Sequence, residues 1–201
     1  MSGLPGPPGR VELEESFPRH LMRAGTLLYR VHRLSNEPYY FGNDGSGRFD
    51  LVDSDAGVCY AGLRDETAYL EVFGRIQPVM QEQLHARRIS EMMLKGDVQL
   101  ADLTSNQIVG RYGLTLEISA ASDYTRTQEW AAALHTAGFS GVLYKARHVP
   151  GATLESVALF GKVGLDDSVL EVVETRAIGS DILDRMRRNY GFPDPLPARP
   201  L

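Results

Sequence analysis

The sequence predicts an α+β fold on a mostly antiparallel or mixed sheet. Short β-branched and aromatic runs recur along the chain, interrupted irregularly by segments of helical character. That irregular order argues against a doubly wound parallel sheet. Hydrophobic residues make up 43% and charged residues 23%, near the globular average, so a packed core is expected.

The elements follow in order. Residues 1–20 open in Pro and Gly and are expected to form a partly disordered tail. Residues 26–32 read as a strand, and 36–47, with Asn, Pro and several Gly, as a loop. Residues 58–63 read as a second strand. Asp65 is a candidate N-cap for a helix over 66–73, closed by Gly74. Residues 88–94 and 98–103 are strands. Thr125 and Gln128 form a capping-box pattern. Trp130, Ala133, Leu134 and Ala137 then recur at helical spacing, and Gly138 ends the helix. Residues 141–144, 157–160 and 169–174 are further strands. Ser180 is expected to cap a last helix running to Tyr190 and stopped by Gly191 and Pro193. No linker or repeat divides the chain, so residues 21–192 read as one domain and 193–201 as a Pro-rich tail.

Composition excludes several function classes. The net charge of −5 argues against a surface built to coat nucleic acid or anionic membrane. Cys59 is the only cysteine, so no intrachain disulfide is possible and a reducing compartment is the simplest expectation. The first residues have no basic and apolar leader pattern, and no apolar run approaches membrane-spanning length. A cytoplasmic protein is expected. The five histidines are scattered without metal-binding spacing, so neither a metal nor a resident cofactor is expected. No serine lies in a nucleophile elbow. The segment 42–47 is glycine-rich but lacks the Lys-Ser/Thr of a P-loop.

Four candidates for chemistry remain, each with a plain alternative. Arg30 sits inside an apolar strand and shares a face with Leu28. It is either an edge cation or a guanidinium lining a cleft, where its fork suits diphosphate oxygens. Arg48 follows the glycine-rich loop as a turn cation or as a second phosphate clamp. Glu71 lies about 60° around its helix from Ala68, on the edge of the apolar stripe. It pairs with Arg75 at i,i+4, worth only about 0.3–0.5 kcal/mol, or it reaches into a cleft. Tyr39, Tyr40, Phe41 and Tyr60 are core aromatics or stacking platforms for a base or nicotinamide.

The ordered set of segments resembles the RES domain family, named for an arginine, a glutamate and a serine. The resemblance spans about residues 25–163. It runs through Leu28-Tyr29-Arg30-Val31, Gly47-Arg48-Phe49, Val58-Cys59-Tyr60-Ala61 and Ala68-Tyr69-Leu70-Glu71-Val72. It continues in Leu100-Ala101-Asp102-Leu103-Thr104, Asp123-Tyr124 with Thr127-Gln128, Gly141-Val142-Leu143-Tyr144 and Val157-Ala158-Leu159-Phe160. The resemblance implies an ADP-ribosyltransferase-like split mixed/antiparallel β-sheet with flanking helices and an NAD cleft. It implies the toxin half of a toxin–antitoxin pair, held inactive by an Xre-type helix-turn-helix antitoxin. The implied activity is NAD phosphorolysis to nicotinamide and ADP-ribose-1″-phosphate, or NAD hydrolysis. NAD is then a substrate and inorganic phosphate the co-substrate; a homodimer is also expected. The family arginine maps to Arg30 and the glutamate to Glu71, with Arg48, Tyr60 and, more weakly, Tyr40 at pocket positions. Mono-ADP-ribosylation of a protein is the alternative within the same fold.

One departure stands out. Relatives carry Tyr-Arg-Ser-Arg-His where this chain has Tyr144-Lys145-Ala146-Arg147-His148, so Ala146 replaces the family serine. Three readings stay open. The pocket is repaired, with Ser156 near at hand; the chain is a catalytically impaired NAD-binding or interaction module; or the alanine was introduced to tame a toxin.

Overall fold

The structure, a computed structural model, describes residues 3–76, 78–148 and 154–197. The elements are α1 (Arg10–Ser16), β1 (Arg19–Met22), β2 (Leu27–Arg33), β3 (Tyr40–Phe41), β4 (Ala56–Gly62), α2 (Asp65–Phe73), α3 (Gln81–His85), β5 (Arg87–Leu94) and β6 (Val98–Asp102). They continue with α4 (Gln107–Tyr112), α5 (Glu117–Ala120), α6 (Thr125–Thr136), β7 (Gly141–Lys145), β8 (Glu155–Lys162), β9 (Gly164–Leu165), β10 (Leu170–Arg176) and α7 (Ser180–Tyr190).

Eight strands form one mixed sheet in the order β1-β6-β7-β8-β4-β2-β5-β10. The β6–β7 pair is parallel and the others are antiparallel. A short β3–β9 ribbon lies beside it. The expected α+β class therefore holds. The sheet is parted in the middle. β2 pairs with β5 from Leu27↔Met93 to Arg33↔Arg87, and β4 pairs with β8 from Ala56↔Lys162 to Gly62↔Ser156. Between β2 and β4 the register holds one pair, Tyr29↔Gly62. Two well-zipped half-sheets thus meet at a single point.

Alternation along the strands assigns the cores. Val58 of β4 packs with Trp130, Leu134 and Phe139 beneath α6. Cys59 and Ala61 face the other way, against Leu28, Met92 and Leu159. A third cluster joins Val31 of β2 to Ala68, Leu70 and Phe73 of α2 and to Ile182 and Met186 of α7. Helix α7 is amphipathic, and its polar edge sends Arg185 to Asp65 at the start of α2.

The N-terminal segment differs from the expected tail. Leu13 and Phe17, four residues apart, are buried, and Leu4 follows them into the same cluster. The Trp130 indole donates to the Pro5 carbonyl at 2.8 Å, and β1 adds an edge strand to β6. Pro and Gly composition suggests looseness, but three apolar anchors outweigh it. In the expected C-terminal tail, Leu196 makes a parallel bridge to Met80. The outermost parts of both tails, 1–2 and 198–201, lie outside the described residues.

The capping expectations also change. Asp65 and Ser180 are first helical residues, preceded by Arg64 and Gly179, which make no side-chain cap. Thr125 and Gln128 do not form a capping box. Asp123 accepts from the Thr125 amide at 2.9 Å, and the Gln128 amide instead crosses to the glycine-rich loop.

Candidate functional site

A cavity of about 320 Å³ opens over the seam between β2 and β4. Residues of both strands line it, with Ser46, Gly47 and Arg48 from the glycine-rich loop, Ala68, Glu71 and Val72 from α2, Ser119 and Tyr124, and Tyr144 and Arg147. The glycine-rich loop is the most tightly braced wall. Gln128 Nε2 donates to the Gly45 and Gly47 carbonyls at 3.0 and 2.9 Å. Thr127 Oγ1 donates to the Arg48 carbonyl at 2.6 Å. The Tyr60 hydroxyl donates to Asp50 Oδ1 at 2.8 Å and accepts from the Phe49 amide at 2.8 Å. A Cβ at position 47 would stand 2.5 Å from that hydroxyl, so the close approach requires glycine. Burial and the adjacent Asp50 carboxylate push the Tyr60 hydroxyl well above its usual pKa, so it stays a proton donor.

Arg48 is buried and held flat. Its Nη1 donates to the Ala121 carbonyl at 2.7 Å, and its guanidinium lies 4.9 Å from the Tyr124 ring centroid. Burial and the nearby Arg147 lower its pKa from the usual arginine value.

Glu71 reaches the cavity from α2. Its side chain is 30% exposed, and Oε1 accepts a hydrogen bond from the buried Ser156 hydroxyl at 3.0 Å. Ser156 lies directly across from Tyr144 in the β7–β8 register. His148 Nε2 stands 4.0 Å from Glu71 Oε2. Among the described residues Glu71 makes no ion pair with Arg75. Burial raises the Glu71 pKa; the Ser156 hydrogen bond and the charges of Arg147 and Arg48 pull it partly back.

His148 is held neutral. Burial first, then Arg147, Arg75 and Arg48, lower its pKa from 6.5 to about 4. The unfolded chain takes up a proton below its ordinary pKa while the folded chain refuses it. Stability is therefore expected to fall as pH drops from about 6.5 towards 4, by up to roughly 3 kcal/mol. Chemical denaturation at stepped pH reads this, and His148→Gln should flatten the slope. An unchanged slope in that variant would assign the acid sensitivity elsewhere.

Of the sequence candidates, Arg48, Tyr60 and Glu71 converge on the cavity. Arg30 borders it, but its Nη1 is engaged with the Pro38 and Tyr40 carbonyls at 2.8 and 2.9 Å and with Cys59 Sγ at 2.8 Å. Tyr40 is not brought in. It sits on β3 with an exposed side chain, outside the lining, because its short strand pairs with β9. Ala146 is fully buried in the apolar cluster under α2 and is likewise not a lining residue. Tyr144, Arg147, Ser119 and Tyr124 line the cavity beyond the expected set, and Ser156, expected only as a stand-in for the missing serine hydroxyl, contacts Glu71. The Tyr144–His148 segment and the Asp123-Tyr124 pair did stand out as motifs. Among the described residues, no three His, Cys, Asp or Glu side chains gather as a metal site.

A parted mixed sheet, with the Glu71 carboxylate and the guanidiniums of Arg30, Arg48 and Arg147 around the parting, defines a split-sheet domain with a cleft suited to a phosphorylated small molecule. The chain belongs to the RES domain family, whose family model matches residues 27–184. A chain in the crystal structure of the M. tuberculosis MbcT–MbcA toxin–antitoxin complex has the same fold. The TM-score is 0.66 at 16% identity, covering 90% of this chain and 96% of that one. Comparison with curated proteins returned no match.

Proposed function

We propose that the chain is a toxin-type enzyme that degrades NAD at the Glu71 cavity, by phosphorolysis to nicotinamide and ADP-ribose-1″-phosphate. The observation that carries this reading is the Glu71 carboxylate at the seam of the sheet, held by Ser156 and faced by cationic groups. Family membership supports the same reading. Breaking the C1″–nitrogen bond returns its electron pair to the nicotinamide ring and builds positive charge on the ribose. A fixed carboxylate beside that carbon stabilises the charge as it develops. A phosphate oxygen then forms the new bond to C1″. Arg48 holds phosphoryl oxygens, Tyr60 forms a wall for the nicotinamide half, and Arg30 fixes the 38–40 segment that flanks the cleft.

An Xre-type helix-turn-helix antitoxin is the proposed partner, in line with the toxin–antitoxin complex whose chain shares this fold. We place the enzyme in the cytoplasm; among the described residues no helix is long and apolar enough to cross a membrane. The proposed homodimer is read by sedimentation.

The test is incubation with NAD, with and without phosphate, followed by NMR. Phosphate-dependent release of nicotinamide and ADP-ribose-1″-phosphate is expected. Label transferred to a protein would replace this reading with ADP-ribosylation, and intact NAD would sink it.

Ser156 takes over the hydroxyl that Ala146 lacks. Ser156→Ala should lower kcat roughly 10- to 100-fold, since a hydrogen bond to a charged group is worth about 1.5–3 kcal/mol. It should also move the acid limb of the kcat profile to higher pH, because that bond depresses the Glu71 pKa. Ala146→Ser should leave kcat within about twofold. A large gain there would favour the impaired-module reading.

A further inference from the structure

Arg147, next to Ala146 just past the end of β7, borders the cavity. Its Nη1 is fully buried and has no hydrogen-bond partner among the described residues. A buried guanidinium N–H without an acceptor is unfavourable, and one that borders a cavity is placed to donate to whatever binds there. The surrounding charges point the same way. Arg147 and Arg48 line the same cavity; burial and then Arg147 lower the Arg48 pKa, and both arginines add to the burial that lowers that of His148. Glu71 is the carboxylate that feels both guanidiniums, and one of its oxygens already accepts from Ser156. His148 is neutral, and its contact with Arg147 Nε is a long 3.4 Å. Two cations against one carboxylate leave a net positive pocket floor.

Arg48 is immobilised by Ala121 and Tyr124, whereas the Nη1 edge of Arg147 is uncommitted. Arg30, by contrast, spends its Nη1 on the 38–40 carbonyls and Cys59. We propose that Arg147, with Arg48, forms a phosphoryl-oxyanion site in the cavity beside Glu71, Arg147 being the positioning cation that the ligand completes. The assignment rests on the NAD-cleaving reading for its role in turnover, but not for the existence of the anion site. Two sources share this chemistry: inorganic phosphate as the attacking nucleophile, or the diphosphate of the dinucleotide. A planar fork matches either one.

Calorimetric titration of the full chain with inorganic phosphate, and separately with ADP-ribose, tests this without turnover. Arg147→Gln is expected to weaken one probe by about tenfold or more. Loss confined to phosphate assigns the nucleophile site, and loss confined to ADP-ribose assigns the diphosphate site. Arg147→Lys, which keeps the charge and serves if the glutamine variant does not fold, should retain part of that affinity. Affinities for both probes within twofold of the unsubstituted protein in Arg147→Gln would overturn the proposal. So would failure of the unsubstituted protein to bind either probe. Arg147-dependent binding without NAD consumption would keep this site and discard the NAD-cleaving reading.

Discussion

Glu71→Gln is expected to lower kcat about 10²–10³-fold, the usual effect of removing one preorganised electrostatic group. The substitution keeps the shape, and the Ser156 hydroxyl can still donate to the side-chain oxygen. The accompanying stability change has the opposite sense. The folded-state pKa of Glu71 is raised, so folding is favoured by protonation and stability falls as pH rises from the ordinary carboxylate range through the raised value. At neutral pH the ionised side chain is therefore a burden on the fold. Glu71→Gln should melt no lower than the parent protein. Steady-state NAD consumption and a thermal melt on the same sample read both effects. Near-parental turnover would remove Glu71 from the chemistry, and a sharply lowered midpoint would show that its carboxylate is structural.

Trp130→Ala is expected to produce the largest loss of stability, roughly 3–5 kcal/mol. For a domain of this size that lowers the melting midpoint by about 10 °C or more. Trp130 is fully buried, packs 6.0 Å from Phe17 and 6.1 Å from Tyr112 between ring centroids, and donates to Pro5. The substitution empties the centre of the cluster and also releases the N-terminal segment. Limited proteolysis should therefore cut ahead of β1 in the variant. Protection of that segment in the variant would mean that Leu13 and Phe17 anchor it unaided.

Much of the fold was legible in local pattern. The strands at β2, β4, β5, β7 and β8 and the helices α2, α6 and α7 fall within a few residues of their expected places. Their signals are dense runs of β-branched residues or helical apolar spacing, which local chemistry determines. The N-terminal helix was missed because its meaning lies in the distant Trp130 groove. Gln128 departs from its local capping pattern for the same reason, since its partners are about eighty residues back along the chain. The site divides in the same way. Arg48, Tyr60 and Glu71 were recoverable from segment order. Ser156 contacts Glu71 only because the β7–β8 pair is laid beside β4, and no spacing rule encodes that contact. Tyr40 was drawn in by its neighbours in sequence, while its strand turns away to β9.

The single Tyr29↔Gly62 pairing has a mechanical consequence. The β2–β5 and β4–β8 ladders that flank the seam run seven pairs each, so deformation concentrates between them, where little backbone bonding resists it. A molecule seated there touches β2 on one bank and β4 on the other, and acts as a rivet between two plates. Occupancy is therefore expected to stiffen the sheet, read as slower amide exchange in β2 and β4 around the lone Tyr29↔Gly62 rung.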